Sequence, residues 1–245
     1  MSKNEAAESD AGGVRAVLET LQAGRGYVLP HRGLMAVALP ELHGAYEVMY
    51  RALTVDERHM APLARECVWL AILVACDEPV GTHHVAAFRR CGGTDHEAAA
   101  LFRQTAWAMG AEVHDFMRGE WAPHFPAFDP AAAYLEAASA LNAAGDLPDE
   151  TARLARLAVH AARGRLWALE VELEAAYGAG LDERRMAEAI SLIIWPRGVN
   201  PFVRAAETWL RLLRSGRVSP SPAFAAWAAV EGQGALVLER PARGN

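Results

Sequence analysis

Apolar residues recur at helical spacing from residue 63 onward and predict a buried helix. The positions follow one another at intervals of four, three and four residues: Leu63, Cys67, Leu70 and Val74. This spacing places all of them on one face of a helix. The pattern "TVDE" (54–57) is a capping box and predicts where the helical region opens, and the turn-forming residues of 77–81 predict where it breaks.

A second, shorter helix and a third, longer one are predicted directly after this break. Thr82 is placed to cap a short helix over 83–91, and the pair Gly92 and Gly93 permits a left-handed stop. A second capping box, "TDHE" (94–97), then predicts a long helix toward Met117. The stretch is therefore expected to form a helix-turn-helix corner.

The chain also aligns with itself at a shift of 88 residues. The identical pairs are Tyr46 with Tyr134, Ala52 and Leu53 with Ala140 and Leu141, Arg65 with Arg153, Ala87 with Ala175, and Gly92 with Gly180. The segment "WAMG" (107–110) falls on "WPRG" (195–198) without a gap. We interpret 42–118 and 130–206 as two copies of one helical unit, each of which covers the apolar face of the other.

The second copy has its own predicted helix boundaries. Asp146 with Pro148 marks the start of its first helix, Gly164 the break, and 178–182 the stop and restart. The predicted organisation is an N-terminal extension (1–41), a first repeat with a Pro-rich connector (42–129), a second repeat (130–215) and a tail (216–245). In the tail, "ALVLE" (235–239) predicts a small edge strand.

Composition supports an all-α protein. Apolar residues make up 52% of the 245, and alanine occurs in runs, which favours packed helices. The net charge of −6 gives no cationic surface for phosphates, so nucleic acid is not expected as a partner. The longest apolar run (67–76) is shorter than the roughly 20 residues that cross a bilayer, and "MSKNEAAESDAGG" (1–13) does not contain the apolar segment expected of a signal peptide. We expect a soluble, cytoplasmic protein without membrane contact.

The candidate chemistry lies where the two copies differ. Glu66 faces Leu154 in the alignment, and His84 faces Glu172. His84 is in the first turn of its helix, where the positive end of the helix dipole favours the neutral imidazole that can accept a proton. Glu66 lies at the edge of the apolar stripe, so the two side chains are predicted to form an acid/base pair across the hairpin.

Other interpretations of these residues stay open. His84 is alternatively a solvated first-turn residue, and Glu66 a partner of Arg65. His83 lies about 100° around the helix from its neighbour, so at most one of the two histidines is expected in a shared site. No metal-binding spacing and no phosphate-binding loop occurs, and neither a metal nor a cofactor is predicted. The three cysteines, Cys67, Cys76 and Cys91, are either buried apolar groups or one reactive set.

The segment "LARECVWLAILVACDEPVGTHHVAAFRRCGGTDHE" (63–97) resembles the carboxymuconolactone decarboxylase and alkylhydroperoxidase D (AhpD-like) superfamily. The resemblance lies in an Arg-Glu pair that opens an apolar helix, a turn, a histidine followed by small residues, and Gly92 eight positions after it. The second copy is similar to a divergent domain of the same type. The resemblance implies a tandem AhpD-like helical fold and a homo-oligomer.

The two branches of this superfamily imply different chemistry. The peroxidase branch uses a Cys-x-x-Cys pair that ends four residues before the histidine. Asp77 and Val80 occupy its positions when counted from His84, and Cys76 and Pro79 when counted from His83, so the pair is incomplete in either register. Cys76 together with Cys67 or Cys91 is the alternative that remains. The decarboxylase branch lacks this pair and acts on a small lactone that bears a carboxylate. That branch implies His84 as general acid/base, with Glu66 either orienting or reprotonating it.

The first functional hypothesis is therefore a cofactor-independent proton transfer or decarboxylation on a small carboxylated substrate. Besides the pair and Cys76, the candidate residues that contact the substrate are Arg65, His83 and Arg89. The second hypothesis is a peroxide-handling protein that uses Cys76. The third is a catalytically silent binding or assembly protein that keeps the fold without the chemistry.

Overall fold

The computed structural model describes residues 3–234, which are mostly helical with no strand among them. The all-α prediction is thereby confirmed for the described part of the chain, whereas the strand predicted in 235–239 lies outside it. No helix among the described residues is long and apolar enough to span a membrane. The helices are α1 (Lys3–Arg25), α2 (Pro30–Ala38), α3 (Pro40–Tyr50), α4 (Pro62–Ala75), α5 (Thr82–Arg90), α6 (Asp95–Met109), α7 (Glu112–Phe116), α8 (Pro130–Ala143), α9 (Asp149–Arg163), α10 (Leu166–Gly178), α11 (Glu183–Ser191), α12 (Ile194–Arg197), α13 (Val199–Arg214) and α14 (Pro222–Ala229).

The chain divides into two compact units, Met1–Asp56 and Glu57–Asn245. The first unit contains α1 to α3 and ends in one π-helical turn, Arg51–Val55. Thr54 lies inside this turn, where its hydroxyl donates to the carbonyl of Tyr50 at 2.7 Å. The capping box predicted at 54–57 is therefore wrong, because Thr54 continues the preceding helix and does not open a new one.

The core of the second unit is built around α4 and α9, which pack against each other. Helix α6 covers both, α5 packs on α4, and α10, α11 and α13 surround α9. The apolar core that results includes the fully buried side chains of Trp69, Ile72, Leu154, Leu157 and Leu169. The sequence reaches this arrangement with an alanine-rich α9, whose small side chains allow helices to approach closely.

Helix α4 is more completely buried than its predicted stripe. Every residue from Arg65 to Leu73 is buried, so neighbouring helices cover nearly all faces of α4. Val74, which was predicted to lie in the stripe, is 46% exposed, and that part of the prediction is wrong. The period of four and three residues identifies one face of a helix but does not tell how many neighbours surround it.

The helix-turn-helix corner forms as predicted around α5, but the long helix predicted toward Met117 is wrong, because α6 ends at Met109 and a separate short helix, α7, follows. Gly92 adopts φ = 90°, which ends the helix in a conformation that residues with a Cβ rarely adopt. Thr94 accepts a hydrogen bond from the amide of Glu97 at 3.1 Å while the Glu97 carboxylate accepts from the Thr94 amide at 2.8 Å, so this capping box is confirmed. Thr82, in contrast, is the first residue of α5 and makes no capping bond.

Two of the three boundaries predicted in the second copy are confirmed. Gly164 ends α9 with φ = 66°, and Asp182 caps α11 by accepting from the amides of Arg184 and Arg185. Helix α9 begins at Asp149, directly after Pro148, but Asp146 does not cap it. The Asp146 carboxylate lies 3.1 Å from the imidazole of His96 at the start of α6.

Candidate functional site

Glu66 and His84 are in direct contact across the α4–α5 hairpin. Nδ1 of His84 lies 2.8 Å from Oε2 of Glu66. Glu66 stands in the second turn of α4 and is 3% exposed, and His84 is the third residue of α5 and is 4% exposed. The break at 77–81 returns the chain on itself so that the start of α5 faces α4, which brings the two side chains together.

Aromatic and cationic neighbours surround this pair. Trp69, one helical turn after Glu66, stacks on the His84 ring with centroids 4.3 Å apart and planes 20° apart. The His83 ring lies 4.2 Å from the His84 ring, so the two histidines are closer than their angular separation on the helix indicated. Nε of Arg65 is 3.6 Å from the second carboxylate oxygen of Glu66.

The geometry fixes what each nitrogen of His84 can do. With its proton on Nδ1, the imidazole donates to the Glu66 carboxylate and carries its lone pair on Nε2. Among residues 3–234, no group forms a hydrogen bond with Nε2 of His84. A carboxylate that holds the opposite nitrogen orients the ring and stabilises the imidazolium that forms when Nε2 takes up a proton.

The other candidate residues occupy different surroundings. Arg89 donates to the carbonyl of Gly93 at 3.0 Å and pairs with Asp95, so its guanidinium ties the end of α5 to the start of α6. Cys76 directly follows α4 and packs at the edge of the main core. Neither residue has a described contact with Glu66 or His84. Of the six candidates, the structure brings together Arg65, Glu66, His83 and His84.

The thiols do not have the environment of a reactive pair. Burial raises the pKa of Cys76, and the nearby Arg197 and Arg163 oppose this effect only in part. Burial also raises the pKa of Cys67, to about 12, with smaller contributions from Glu97 and Glu66. Cys91 is exposed, and all three cysteines are free thiols. Since thiolates are the nucleophilic form, burial makes Cys76 less reactive than an ordinary cysteine.

A second buried polar cluster was missed by the sequence analysis. Arg156 on α9 binds Glu172 on α10 through two hydrogen bonds, and its third nitrogen donates to Gln104 on α6 at 2.8 Å. On α8, the Tyr134 hydroxyl lies 2.8 Å from Nε2 of His160. We call these five residues the Arg156 cluster, and all are buried.

The electrostatics of the Arg156 cluster follow from its burial. Burial raises the pKa of Tyr134 well above its ordinary value, and the negative charge of the nearby Glu172 adds to the effect. Burial lowers the pKa of His160 to about 4. Nδ1 of His160 has no partner, which is least costly when this nitrogen carries the lone pair and Nε2 donates to the Tyr134 oxygen. The His160 side chain is therefore held neutral.

One signal in the sequence could have found this cluster. Arg156 and His160 are four residues apart in "RLARLAVHAAR", where the surrounding positions are alanine, leucine and valine. Two polar residues that recur at the period of an apolar face must be buried with partners. The partners themselves lie on three other helices and could not be identified without the fold. Glu174, two residues after Glu172, instead pairs with Arg217 at the surface.

Cavities of about 370, 810 and 410 Å³ occur among the described residues, and neither Glu66 nor His84 lines any of these three. The described residues contain no group of three or more His, Cys, Asp or Glu side chains that could hold a metal ion.

The chain matches no family model, no curated protein and no solved structure. The resemblance to the AhpD-like superfamily accordingly stays a prediction.

Proposed function

We propose that this chain is a tandem AhpD-like protein of the carboxymuconolactone decarboxylase type. It catalyses a cofactor-independent proton transfer or decarboxylation on a small carboxylated molecule. The observation that carries the proposal is the 2.8 Å contact between Nδ1 of His84 and Oε2 of Glu66, which leaves Nε2 of His84 without a hydrogen bond among the described residues. A buried histidine oriented by a carboxylate is suited to general acid/base chemistry.

The helix boundaries support the tandem arrangement. At a shift of 88 residues, α4 would cover 150–163, and α9 covers Asp149–Arg163. The start of α6 at Asp95 falls on the start of α11 at Glu183. The polar pairs have corresponding locations too, because His84 aligns with Glu172 and each bonds to the preceding helix of its own copy. We infer that only the first copy has kept a proton-transfer pair.

The proposed step moves one proton through Nε2 of His84. In a proton transfer, Nε2 removes a proton from a carbon next to a carbonyl, and the resulting imidazolium, stabilised by Glu66, returns it to the substrate. In a decarboxylation, the bond between the carboxylate and its neighbouring carbon breaks, carbon dioxide leaves, and the electron pair moves into a conjugated carbonyl. His84, protonated beforehand by solvent, then delivers its proton to that carbon.

Arg65 and His83 are the candidates to contact the substrate carboxylate. Arg65 is next to Glu66 in sequence and lies beside it in space, and the His83 ring lies against the His84 ring. An arginine beside the proton-transfer pair is suited to bind a carboxylate through two parallel hydrogen bonds. Arg89 does not enter this proposal, because its guanidinium is committed to Gly93 and Asp95.

The experiment is a proton-exchange assay with a small γ-lactone that carries a carboxylate. Deuterium incorporation from heavy water is followed by NMR, and carbon dioxide release is measured in parallel. His84→Gln should lower the rate about 100- to 10,000-fold, the usual contribution of a general acid/base group. Glu66→Gln should cause a smaller loss, because an amide oxygen still accepts the Nδ1 hydrogen bond but carries no charge.

His160→Gln is the matched control, since His160 is also a buried histidine hydrogen-bonded to a single partner. This variant should keep the wild-type rate while circular dichroism shows that all three variants are folded. Wild-type activity in a folded His84→Gln variant would disprove the proposed role of the pair. No activity of the wild-type chain on any carboxylated lactone would disprove the substrate class.

A second candidate function is a catalytically silent binding or assembly protein. The depth of the pair favours it, because both side chains are nearly inaccessible and Trp69 covers one face of the His84 ring. A structural role predicts that His84→Gln changes the free energy of unfolding without changing any turnover. Peroxide chemistry has less support, because burial raises the pKa of both Cys67 and Cys76.

A further inference from the structure

The segment 113–128 exposes a series of large apolar side chains. These are each between 41% and 66% exposed: Val113, Phe116, Trp121, Phe125 and Phe128. We call them the aromatic patch. The segment runs from α7 through one π-helical turn (Met117–Trp121) and one 3₁₀ turn (Ala122–His124). None of its four aromatic rings belongs to either apolar core of the described residues.

The members of the aromatic patch lie next to one another. The Phe116 and Trp121 rings meet edge to face with centroids 5.2 Å apart, and the Trp121 and Phe125 centroids are 6.3 Å apart. Val113 precedes Phe116 by three residues in α7, and the amide of Phe128 bonds to the carbonyl of Phe125. The rings of Phe116, Trp121 and Phe125 thus form one continuous surface, and Val113 and Phe128 adjoin it along the chain, whereas exposed apolar residues on a monomer are usually scattered.

We propose that the aromatic patch binds the same patch of a second copy of this chain in a two-fold dimer. Because a large aromatic side chain offers roughly 150–250 Å² and these are about half exposed, the patch provides on the order of 500 Å² per copy. A specific interface buries about 800 Å² per partner, so the apolar centre supplies more than half of what is needed and the polar rim can supply the rest. Interface centres are enriched in these residue types.

The charges beside the patch fit a partner with the same surface. Arg118 pairs with Asp115 at 2.8 Å, and Arg165 pairs with Glu112, so each positive group is balanced within its own copy. Two such rims can meet with only the one extra negative charge of Glu120 on each copy, whereas a strongly acidic or basic partner would find little opposite charge here. Glu120 lines the neighbouring cavity of about 370 Å³ together with Phe116. This interface is independent of the chemistry proposed for Glu66 and His84.

Sedimentation velocity of the full chain from about 1 to about 100 µM tests the dimer. The wild-type protein should dimerise, and Trp121→Glu or Phe125→Glu should each weaken dimerisation at least about tenfold, because charge would be buried at the centre of the interface. Val199→Glu, at a comparably exposed valine on α13, should leave dimerisation unchanged. A monomeric wild type at the highest concentration, or a Trp121→Glu variant that dimerises like the wild type, overturns the proposal.

The two-fold arrangement has its own test. In a two-fold interface a residue near the axis meets its own counterpart, so one cysteine there can form a disulfide with itself. In a Cys91→Ser background, Phe125→Cys should give a covalent dimer under mild oxidation, and Val199→Cys should not. Equal cross-linking of the two variants, or none with Phe125→Cys, contradicts a two-fold contact through the patch.

Discussion

Arg156 holds both oxygens of Glu172, with Nε 2.5 Å from Oε1 and Nη2 3.3 Å from Oε2, and neither side chain has significant contact with solvent. Glu172 aligns with His84 in the first copy, where the buried pair is a glutamate with a histidine and not an arginine with a glutamate. A carboxylate bound to an arginine at both oxygens has little capacity to orient a proton-transfer group. The pair of the second copy is therefore suited to hold α9 to α10, while Glu66 and His84 retain a free nitrogen.

We predict that Arg156→Met strongly destabilises the protein. The substitution keeps an unbranched apolar stem but leaves the carboxylate of Glu172 buried without its partner, and breaking such a pair costs about 3–5 kcal/mol. Arg156→Met combined with Glu172→Leu should recover most of this loss, because no charge is then left unpaired. The free energy of unfolding is measured by urea denaturation.

Arg153→Met is the matched control, because Arg153 is one turn earlier on α9 and pairs with the exposed Asp149 at 2.7 Å. An exposed pair four residues apart on a helix contributes only about 0.5 kcal/mol. Equal destabilisation by Arg153→Met and Arg156→Met would show that burial does not make the Arg156–Glu172 pair more important for stability than the Arg153–Asp149 pair.

We predict that His160 makes the protein less stable in acid. Burial lowers its pKa from 6.5, the value of an unfolded chain, to about 4 in the folded state. Smaller effects come from the charge of Glu172, which raises the pKa, and from that of Arg156, which lowers it. The unfolded state therefore binds the proton more tightly between pH 6.5 and 4. This contribution to stability is complete above pH 6.5 and is lost as the pH falls to about 4, a change on the order of 3 kcal/mol.

Urea denaturation at several pH values between 7 and 4 measures this effect. His160→Gln should flatten the pH dependence, because the amide can still donate to Tyr134 but does not titrate. The control is His96→Gln, at an exposed histidine at the start of α6. The same pH dependence in wild type and His160→Gln would assign the acid sensitivity to other groups.

The sequence predicted those features that depend on a few adjacent residues. The stop at Gly92, the capping box at Thr94 and the break at Gly164 each follow from local backbone geometry, and the structure contains all three. The box at 54–57 has the same residue types but failed, because the π-helical turn continues through Thr54. A local pattern shows that a cap is possible, whereas the surrounding helices decide whether it forms.

Thr94 caps α6 whereas Thr82 makes no capping bond at the start of α5, and this difference can be tested directly. Thr94→Ala should lower the free energy of unfolding by about 1 kcal/mol, because it removes the acceptor for the Glu97 amide at the start of α6. Thr82→Ala should have almost no effect, since Thr82 makes no capping bond at the start of α5. Urea denaturation of both variants measures the difference, and equal effects would contradict the observed caps.

The partners in the candidate site could be predicted less well than the helices. The contact between Glu66 and His84 follows from a short hairpin, so spacing along the chain was sufficient to place the two together. The Arg156 cluster joins residues 52 positions apart, Gln104 and Arg156, on helices whose packing no local pattern specifies. Long-range polar contacts of this kind depend on which helices become neighbours, and that is decided by the whole core.

The three cysteines provide the last prediction, which also separates the functional hypotheses. Cys91 is exposed, whereas burial raises the pKa of Cys76 and raises that of Cys67 to about 12. In the folded protein a disulfide reagent at neutral pH should react rapidly with one thiol per chain, and Cys91→Ser should remove that rapid phase. Cys67 should react only after unfolding, because its side chain is enclosed in the α4 core. If instead the rapid phase survives Cys91→Ser and disappears in Cys76→Ser, Cys76 is an accessible and reactive thiol, and peroxide chemistry at this residue becomes the better explanation.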